Sequence, residues 1–492
     1  MANRLTKLAV AALVLAGALL ALAGLRPEPA GVGLSGAGFV NADRPGIDNH
    51  NSPAVAADPT RPSVVVLADR IDSPRFSCSL HISTTAGVTW RPLALPLAPE
   101  APNCFWPDVA FDANGRLLVL YTATGGRFNQ PLGVWLQPFE GEAASGPAVR
   151  VAGGEAFHAH MAVDGRRVAV AYVQAPPENA DRPLGFEPGA HPLMVVRSED
   201  GGATWSAPVQ VSQAPARPAH PSVLYDREGR LVVGALDYND DDDNYAGSHE
   251  GQGGPPPPAT WRVLAWTSGD GGATFGASPA VVADGVEVPQ RVVIDLAPGP
   301  SFATDPDGGA VYAAWEGGVG DSRGVFLSRS DDGGRSWSSP VEVAPGPGAQ
   351  FLPALDVAPD GRVDIVFYDR SRDPDDVLAY PVVGSSWDNG ATFVTRTASE
   401  RPFDSRIGQG GQQAVTQLGN QLAVLSRDGS FLAFWADTNR PTTAAAEVHD
   451  LAVVTATPRI AGGRSWGLAI PGLAVLVAGA AIGARAVAHR PR

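Results

Sequence analysis

Ser330-Asp331-Asp332-Gly333-Gly334-Arg335-Ser336-Trp337 is the fullest copy of an eight-residue pattern that returns through this 492-residue chain. Residues 198–205 read SEDGGATW, 268–275 read SGDGGATF, 386–393 read SWDNGATF, and 83–90 (STTAGVTW) keep only the frame. The composition of the pattern is that of a hairpin turn. Ser and Asp side chains bond backbone N–H groups a few residues on, the Gly positions supply positive φ, and the closing aromatic folds under the turn into the core. On this reading Ser198, Asp200, Gly202, Trp205, Ser268, Asp270, Phe275, Ser330, Asp332, Trp337, Ser386, Asp388 and Phe393 are structural.

Outward from each box lie short apolar runs ending in an aromatic or Leu: residues 168–172, 231–236, 311–315, 363–368 and 431–435, with fainter relatives at 64–67 and 117–121. Most runs follow a turn that carries Asp and Gly, as at Asp112-Ala113-Asn114-Gly115 and Asp428-Gly429, so the chain reads as a series of four-stranded units at residues 52–97, 103–151, 157–212, 220–284, 301–345, 351–397 and 413–458. The second unit has no box. The seventh ends without a fourth strand.

The boxes resemble the Asp-box, or BNR repeat, of the sialidase superfamily, in which the box lies on the turn between the third and fourth strands of a β-propeller blade. That resemblance spans about residues 50–458 and implies an all-β, closed propeller at residues 51–458. A propeller closes by mixing strands from both chain ends in one blade, which removes exposed sheet edges. The segment 26–50, with a β-like stretch near Gly38 to Asn41, is placed to complete the seventh unit, favouring seven blades over the alternative of six.

The composition of Gly 57, Pro 45 and no long amphipathic helical pattern agrees with many strands and turns. A net charge of −15 excludes nucleic acid as a partner, because phosphate binding needs a basic stripe. Residues 1–25 read as a signal peptide, with Arg4 and Lys7 before the apolar run 8–23 and Ala21-Leu22-Ala23 before Gly24. After a linker at 459–465, residues 466–484 are apolar and long enough to span a bilayer. Arg485, His489, Arg490 and Arg492 in the tail 485–492 should stay cytoplasmic. The expectation is an exported propeller anchored at the cell surface by a C-terminal helix. Cys78 and Cys104, the only two cysteines, are expected to pair in that setting, closing a loop worth at most about 3.5 kcal/mol.

The resemblance places function on the loops between second and third strands, opposite the boxes. Those loops carry Asp69, Arg70, Asp72, Arg127, Asp181, Arg182, Asp237, Glu316, Asp321, Arg323, Asp369, Arg370, Arg372, Asp373, Asp437 and Arg440. In a sialidase, three arginines bind the substrate carboxylate, a Tyr activated by a Glu is the nucleophile, and an Asp is the acid/base. The resemblance implies Arg70, Arg323 and Arg370 for the arginines, Tyr368 or Tyr238 for the nucleophile, Glu316 for its base, and Asp72 or Asp69 for the acid. The Arg-Ile-Pro motif that carries the family's first arginine is absent, with only Asp43-Arg44-Pro45-Gly46 in its place. The competing reading is that Asp and Arg after a strand pair locally and solubilise the rim.

Asp240, Asp241, Asp242 and Asp243 offer hard oxygens suited to Ca²⁺, though without EF-hand spacing, and no cofactor is otherwise required. His158, His160 and His220 flank starts of inner strands and can approach the central channel. Two functions follow: a sialidase-like propeller that binds a glycan or an extracellular protein through its loop face, or an exo-α-sialidase that releases terminal sialic acid.

Overall fold

The computed structural model describes residues 15, 30–41, 48–72, 75–126, 129–175, 191–213, 217–238, 261–286, 299–319, 322–375, 377–404, 418–439 and 449–460. The chain divides into a unit of residues 34–457 and a unit of residues 1–33 with 458–492. The first unit is a seven-bladed β-propeller.

Strand β1 (Gly31–Phe39) precedes blade 1, which is β2 (His50–Ala57), β3 (Val65–Ile71), β4 (Ser77–Ser83) and β5 (Arg91–Leu93). Blade 2 is β6 (Asn103–Phe111), β7 (Leu117–Gly125), β8 (Gln130–Glu140), β9 (Ala143–Ala144) and β10 (Val149–Gly153). Blade 3 is β11 (Ala156–Asp164), β12 (Arg167–Gln174), β13 (Leu193–Ser198) and β14 (Val209–Gln210). Blade 4 is β15 (Pro218–Tyr225), β16 (Leu231–Asp237), β17 (Trp261–Ser268) and β18 (Ala280–Val286). Blade 5 is β19 (Ser301–Thr304), β20 (Val311–Val319), β21 (Ser322–Ser330) and β22 (Val341–Glu342). Blade 6 is β23 (Gln350–Val357), β24 (Val363–Asp369), β25 (Leu378–Ser386) and β26 (Val394–Thr397), with β27 (Phe403–Asp404) beside β25. Blade 7 is β28 (Ala423–Arg427), β29 (Ser430–Asp437) and β30 (Asp450–Arg459), completed by β1.

All the described pairings are antiparallel, and the first strands touch in cyclic order: β2, β6, β11, β15, β19, β23, β28 and β2 again. They therefore form the inner wall. The closing strand is β1, which starts earlier than the sequence suggested and stops before Asn41. Asn41 ties the same blade by its side chain: Nδ2 donates to Asp450 Oδ1 at 2.6 Å and Oδ1 accepts from Leu451 N at 2.9 Å.

Each octapeptide joins the third and fourth strands of its blade. In blade 3, Ser198 Oγ accepts from Gly202 N at 2.8 Å, Asp200 Oδ1 accepts from Thr204 N at 2.8 Å, and Asp200 Oδ2 accepts from Thr204 Oγ1 at 2.6 Å. Asp270, Asp332 and Asp388 repeat these bonds in blades 4, 5 and 6. In the degenerate copy Thr85 Oγ1 takes the Asp role, accepting from Thr89 N at 2.9 Å. Bonds to the carboxylate hold Asp200 down to about 2, with the Thr204 hydroxyl the largest cause.

The second glycine of the box meets a requirement beyond its backbone angle. At Gly202 (φ +88°) a Cβ would stand 2.3 Å from Leu136 of blade 2, and at Gly390 (φ +82°) 2.5 Å from Leu327 of blade 5. The turn thus packs directly on the preceding blade, which leaves no room for a methyl group. The closing aromatic follows it inward: Trp337 meets Phe302 edge-on at 5.6 Å and Trp90 meets Phe434 at 5.7 Å. Blade 2, which has no box, closes instead through β9 paired back on β8.

Candidate functional site

Strand one of each blade starts at the end opposite the boxes, and there the inner wall is irregular. In blades 1, 2, 3, 4 and 6 the pairing register slips between Asn51 and Ala54, Phe105 and Asp108, Phe157 and His160, Ala219 and Ser222, and Phe351 and Ala354. Within each slip one non-glycine residue is left-handed: Ser52 (φ 50°), Trp106 (55°), His158 (50°), His220 (49°) and Leu352 (54°). Pro53, Pro107, Pro221 and Pro353 follow four of them. A left-handed non-glycine residue is disfavoured by its Cβ, and five at equivalent places form a built feature, a bulge that re-aims side chains.

The bulges turn these side chains toward one another across blades. His158 and His220 stack at 4.2 Å between ring centroids, with Trp106 at 4.2 Å from His158 and 5.0 Å from His220. Burial pushes both imidazoles down, His158 well below the usual histidine range and His220 to about 3, so both are neutral at physiological pH. Trp106 Nε1 donates to His160 Nε2 at 3.2 Å, which leaves the ring proton on Nδ1, facing Asp108 Oδ2 at 3.6 Å.

Blades 1 and 7 meet through a second polar group. Arg70 is fully buried; Nη2 donates to Asp72 Oδ2 at 2.9 Å, Nε lies 2.7 Å from Asp72 Oδ1, and Nη1 donates to Asn420 Oδ1 at 2.9 Å. Its guanidinium stands 4.6 Å over the Phe105 ring. Ser52, through its bulge, completes the link: Oγ donates to Asn51 Oδ1 at 2.9 Å and accepts from Asn420 N at 3.0 Å. Asn51 Nδ2 donates to Asp72 Oδ2 at 2.7 Å.

Inside this layer lies an axial cavity of about 250 Å³, lined from all seven blades. Its polar lining includes Asp108, His160, His220, Ser222, Ser301, Asn420 and Gln421, among prolines and small apolar residues. His220 Nε2 and Asn420 Nδ2 are buried and have no hydrogen-bond partner among the described residues. An unsatisfied buried polar atom is destabilising, and both of these atoms belong to residues of the cavity wall.

The sialidase-type set expected from the resemblance does not assemble. Tyr368 is buried and its hydroxyl donates to Ala436 O at 2.7 Å, a bond that ties blade 6 to blade 7 and pushes it away from a nucleophile's role. Tyr238 is buried edge-on to Trp261 at 4.9 Å. Glu316 does not serve as base to either: its Oε2 accepts from the bulge amide Leu352 N at 2.7 Å. Arg323 is exposed, whereas Arg70 and Arg370 are fully buried, so the three guanidiniums do not share one environment. Asp72 is held by Arg70, and Asp69 by His50 at 2.6 Å, not presented as acids. Elsewhere an Asp and an Arg do pair locally, as Arg262 with Asp237 at 2.6 Å, and Arg372 pairs with Glu400 at 3.1 Å. Arg127, Asp181, Arg182, Asp321, Arg440 and the acidic loop Asp240, Asp241, Asp242 and Asp243 lie outside the described residues, as do the segments 1–14 and 466–484. Among the described residues no helix is long and apolar enough to cross a membrane.

Glu316 has a different property. Burial pushes its carboxyl up to about 8, against the Leu352 amide and the Arg370 charge. The folded state therefore keeps a proton that the unfolded chain releases above its ordinary value of 4.5. The stability this supplies is complete below pH 4.5 and is lost as pH rises through about 8. Asp356, raised to about 7 by burial, acts in the same direction. Glu316→Gln, which keeps an acceptor for Leu352, is expected to flatten part of this decline and to exceed the wild type in thermal stability at pH 9; parallel melting profiles at pH 5, 7 and 9 would contradict it.

Sequence reading placed His158, His160 and His220 near the channel but missed Trp106, Asp108, Asn51 and Asn420. The local trace in the sequence is the proline that follows the bulge residue, at Pro53, Pro107, Pro221 and Pro353.

No protein-family model and no curated protein matches the chain. Among solved structures, an ulvan lyase from a polysaccharide-lyase family aligns at 11% identity over 89% of this chain and 99% of its own, with a TM-score of 0.50. A protein of unknown function from Dyadobacter fermentans DSM 18053 aligns at 15% identity over 87% and 100%, with a TM-score of 0.47. A Hadza microbial sialidase aligns at 14% identity over 82% and 65%, with a TM-score of 0.43. At these identities the likeness is one of fold alone.

Proposed function

We propose that this chain is an exported, surface-anchored propeller that binds a saccharide in its axial cavity, without sialidase chemistry. The observation that carries the reading is the cavity itself, walled by all seven blades and lined by the polar side chains of Asp108, His160, Ser222, Ser301 and Gln421. At about 250 Å³ it lies just under the ~300–1,000 Å³ of drug-sized pockets, a volume suited to one sugar ring. Hydroxyl groups of such a ring supply both donors and acceptors to these polar side chains. The described lining carries a carboxylate, Asp108, and no guanidinium, which favours a neutral sugar over a sialic acid. A saccharide as ligand class is also supported by the ulvan lyase of similar fold, whose structure holds -[GlcA(1-4)Rha3S]-. Export and anchoring rest on the apolar segments 8–23 and 466–484.

Hydrolysis of a fluorogenic α-sialoside by the full-length chain tests the negative half. No turnover is expected, because the Tyr368 hydroxyl, which a sialidase nucleophile must keep free, is committed to Ala436 O. Turnover lost in Arg370→Ala would overturn the reading in favour of an exo-α-sialidase.

A further inference from the structure

Blade 1 holds a second cluster of chemistry-bearing side chains away from the axial cavity lining. His50 on β2, Asp69 on β3 and His81 on β4 each offer one ligand atom, and these atoms all lie within 4.8 Å of one another. We propose that His50, Asp69 and His81 form a transition-metal site of the Zn²⁺ type, with Ser79 Oγ or a water as fourth ligand.

The strand register builds the site. Asp69 stands opposite Ser79 in the β3–β4 ladder, and His81, two residues further on, projects from the same face. The Asp69 Oδ1 to His81 Nε2 separation is 3.4 Å, close to the edge of about 3.3 Å that a tetrahedron with bonds near 2.0 Å requires. Ser79 Oγ stands at the same point, 3.0 Å from His81 Nε2 and in contact with Asp69 Oδ1. Two imidazoles and a carboxylate are a donor set that zinc accepts.

Charge supplies an argument independent of spacing. The side chains of His50 and Asp69 are fully buried and that of His81 is 3% exposed. A buried carboxylate needs a compensating positive charge, which without a metal falls to the imidazoles of His50 and His81. A divalent cation held by two neutral imidazoles meets that need. Without a cation the same groups hydrogen-bond among themselves, with His50 Nδ1 and Asp69 Oδ2 2.6 Å apart. Metal binding then requires that contact to open by about 0.7 Å, a small side-chain rotation. The consequence for the axial site is indirect. Asp69 anchors the end of β3, from which Arg70 and Asp72 reach toward Asn420 and Asn51, so the ion would be a positioning element for that network.

Elemental analysis of the purified full-length chain is the test, with thermal unfolding before and after chelation and Co²⁺ as a spectroscopic probe. About one equivalent of zinc, a lower melting temperature after chelation, and intense tetrahedral Co²⁺ bands are expected, as for a structural site. Asp69→Asn should remove the metal and the bands, while His160→Gln should retain both. Wild-type protein that carries no metal and gains no thermal stability on adding Zn²⁺ would overturn the proposal and leave a plain hydrogen-bonded ion pair. Metal retained by Asp69→Asn would overturn it as well. Because the wild type alone can decide the outcome, misfolding of a variant does not shelter the idea.

Discussion

Arg362→Ala is expected to destabilise the folded chain by about 3–5 kcal/mol, the loss typical of stranding one member of a buried ion pair. Arg362 is 2% exposed and Asp364 fully buried. The guanidinium bonds the carboxylate through two nitrogens, Nε to Oδ1 and Nη2 to Oδ2, both at 2.9 Å. Nη2 also donates to the backbone carbonyls of Arg427 at 2.9 Å and Ser430 at 3.1 Å, so one side chain of blade 6 satisfies the first hairpin of blade 7. Asp364 accepts further bonds from Ser385 Oγ at 2.6 Å and Ser426 Oγ at 2.8 Å. Burial already pushes the Asp364 carboxyl up against these partners. Without Arg362 the burial effect is opposed only by hydroxyls, and two carbonyls at the blade interface lose their donor. Chemical denaturation of the variant measures this directly. The double variant Arg362→Met with Asp364→Leu should recover much of the loss, because it removes the buried charge altogether. A midpoint unchanged in Arg362→Ala would contradict the account of this interface.

The second large effect is expected from the disulfide. Cys78 on β4 and Cys104 on β6 are bonded, with Cα atoms 5.5 Å apart and a sequence separation of 26. The bond joins blade 1 to blade 2 among Ala98, Ala101, Tyr121 and Trp135. Chain-entropy bookkeeping for such a loop gives about 3.5 kcal/mol, and measured losses for such bonds run about 2–4 kcal/mol. Replacing both cysteines by serine should therefore lower stability by that range, and reductant should bring the wild type to the same midpoint. Because the bond acts largely on the unfolded chain, the denaturant slope should rise in the double variant, unlike in Arg362→Ala. The register adds a local consequence, since Cys78 lies directly opposite Arg70. A double-serine variant as stable as the wild type would show that blade packing alone holds this junction.

The ring was legible because its signals are local. A box needs only eight residues to specify its turn: four full copies repeat the same bonds from Ser198 to Thr392, and the degenerate copy at 83–90 substitutes Thr85 for the Asp. The pairing of Cys78 with Cys104 was legible for the same reason, there being no other cysteine to choose. The bounds of β1 were less so, because its sequence of glycines with few apolar residues does not show which stretch will meet β30. The candidate site was read least well. Tyr368 and Glu316 carry the right functional groups, but what they bond to, Ala436 O and Leu352 N, belongs to the neighbouring blade, and no local pattern reports a neighbour. Arg70 failed similarly, its partner Asn420 lying 350 residues away. The bulges that gather Trp106, His158 and His220 do have a local signature, yet it is faint, since proline at a strand start is common for other reasons.

The axial cavity as the ligand site is tested most directly by probing a glycan array of neutral and sialylated termini with labelled full-length chain, comparing wild type, His220→Ala and Arg323→Ala. Binding to neutral termini is expected, weakened about three- to tenfold by His220→Ala, the worth of one buried hydrogen bond, and unchanged by Arg323→Ala. Binding confined to sialylated termini and lost in Arg323→Ala, with His220→Ala unaffected, would contradict it and move recognition to the exposed rim.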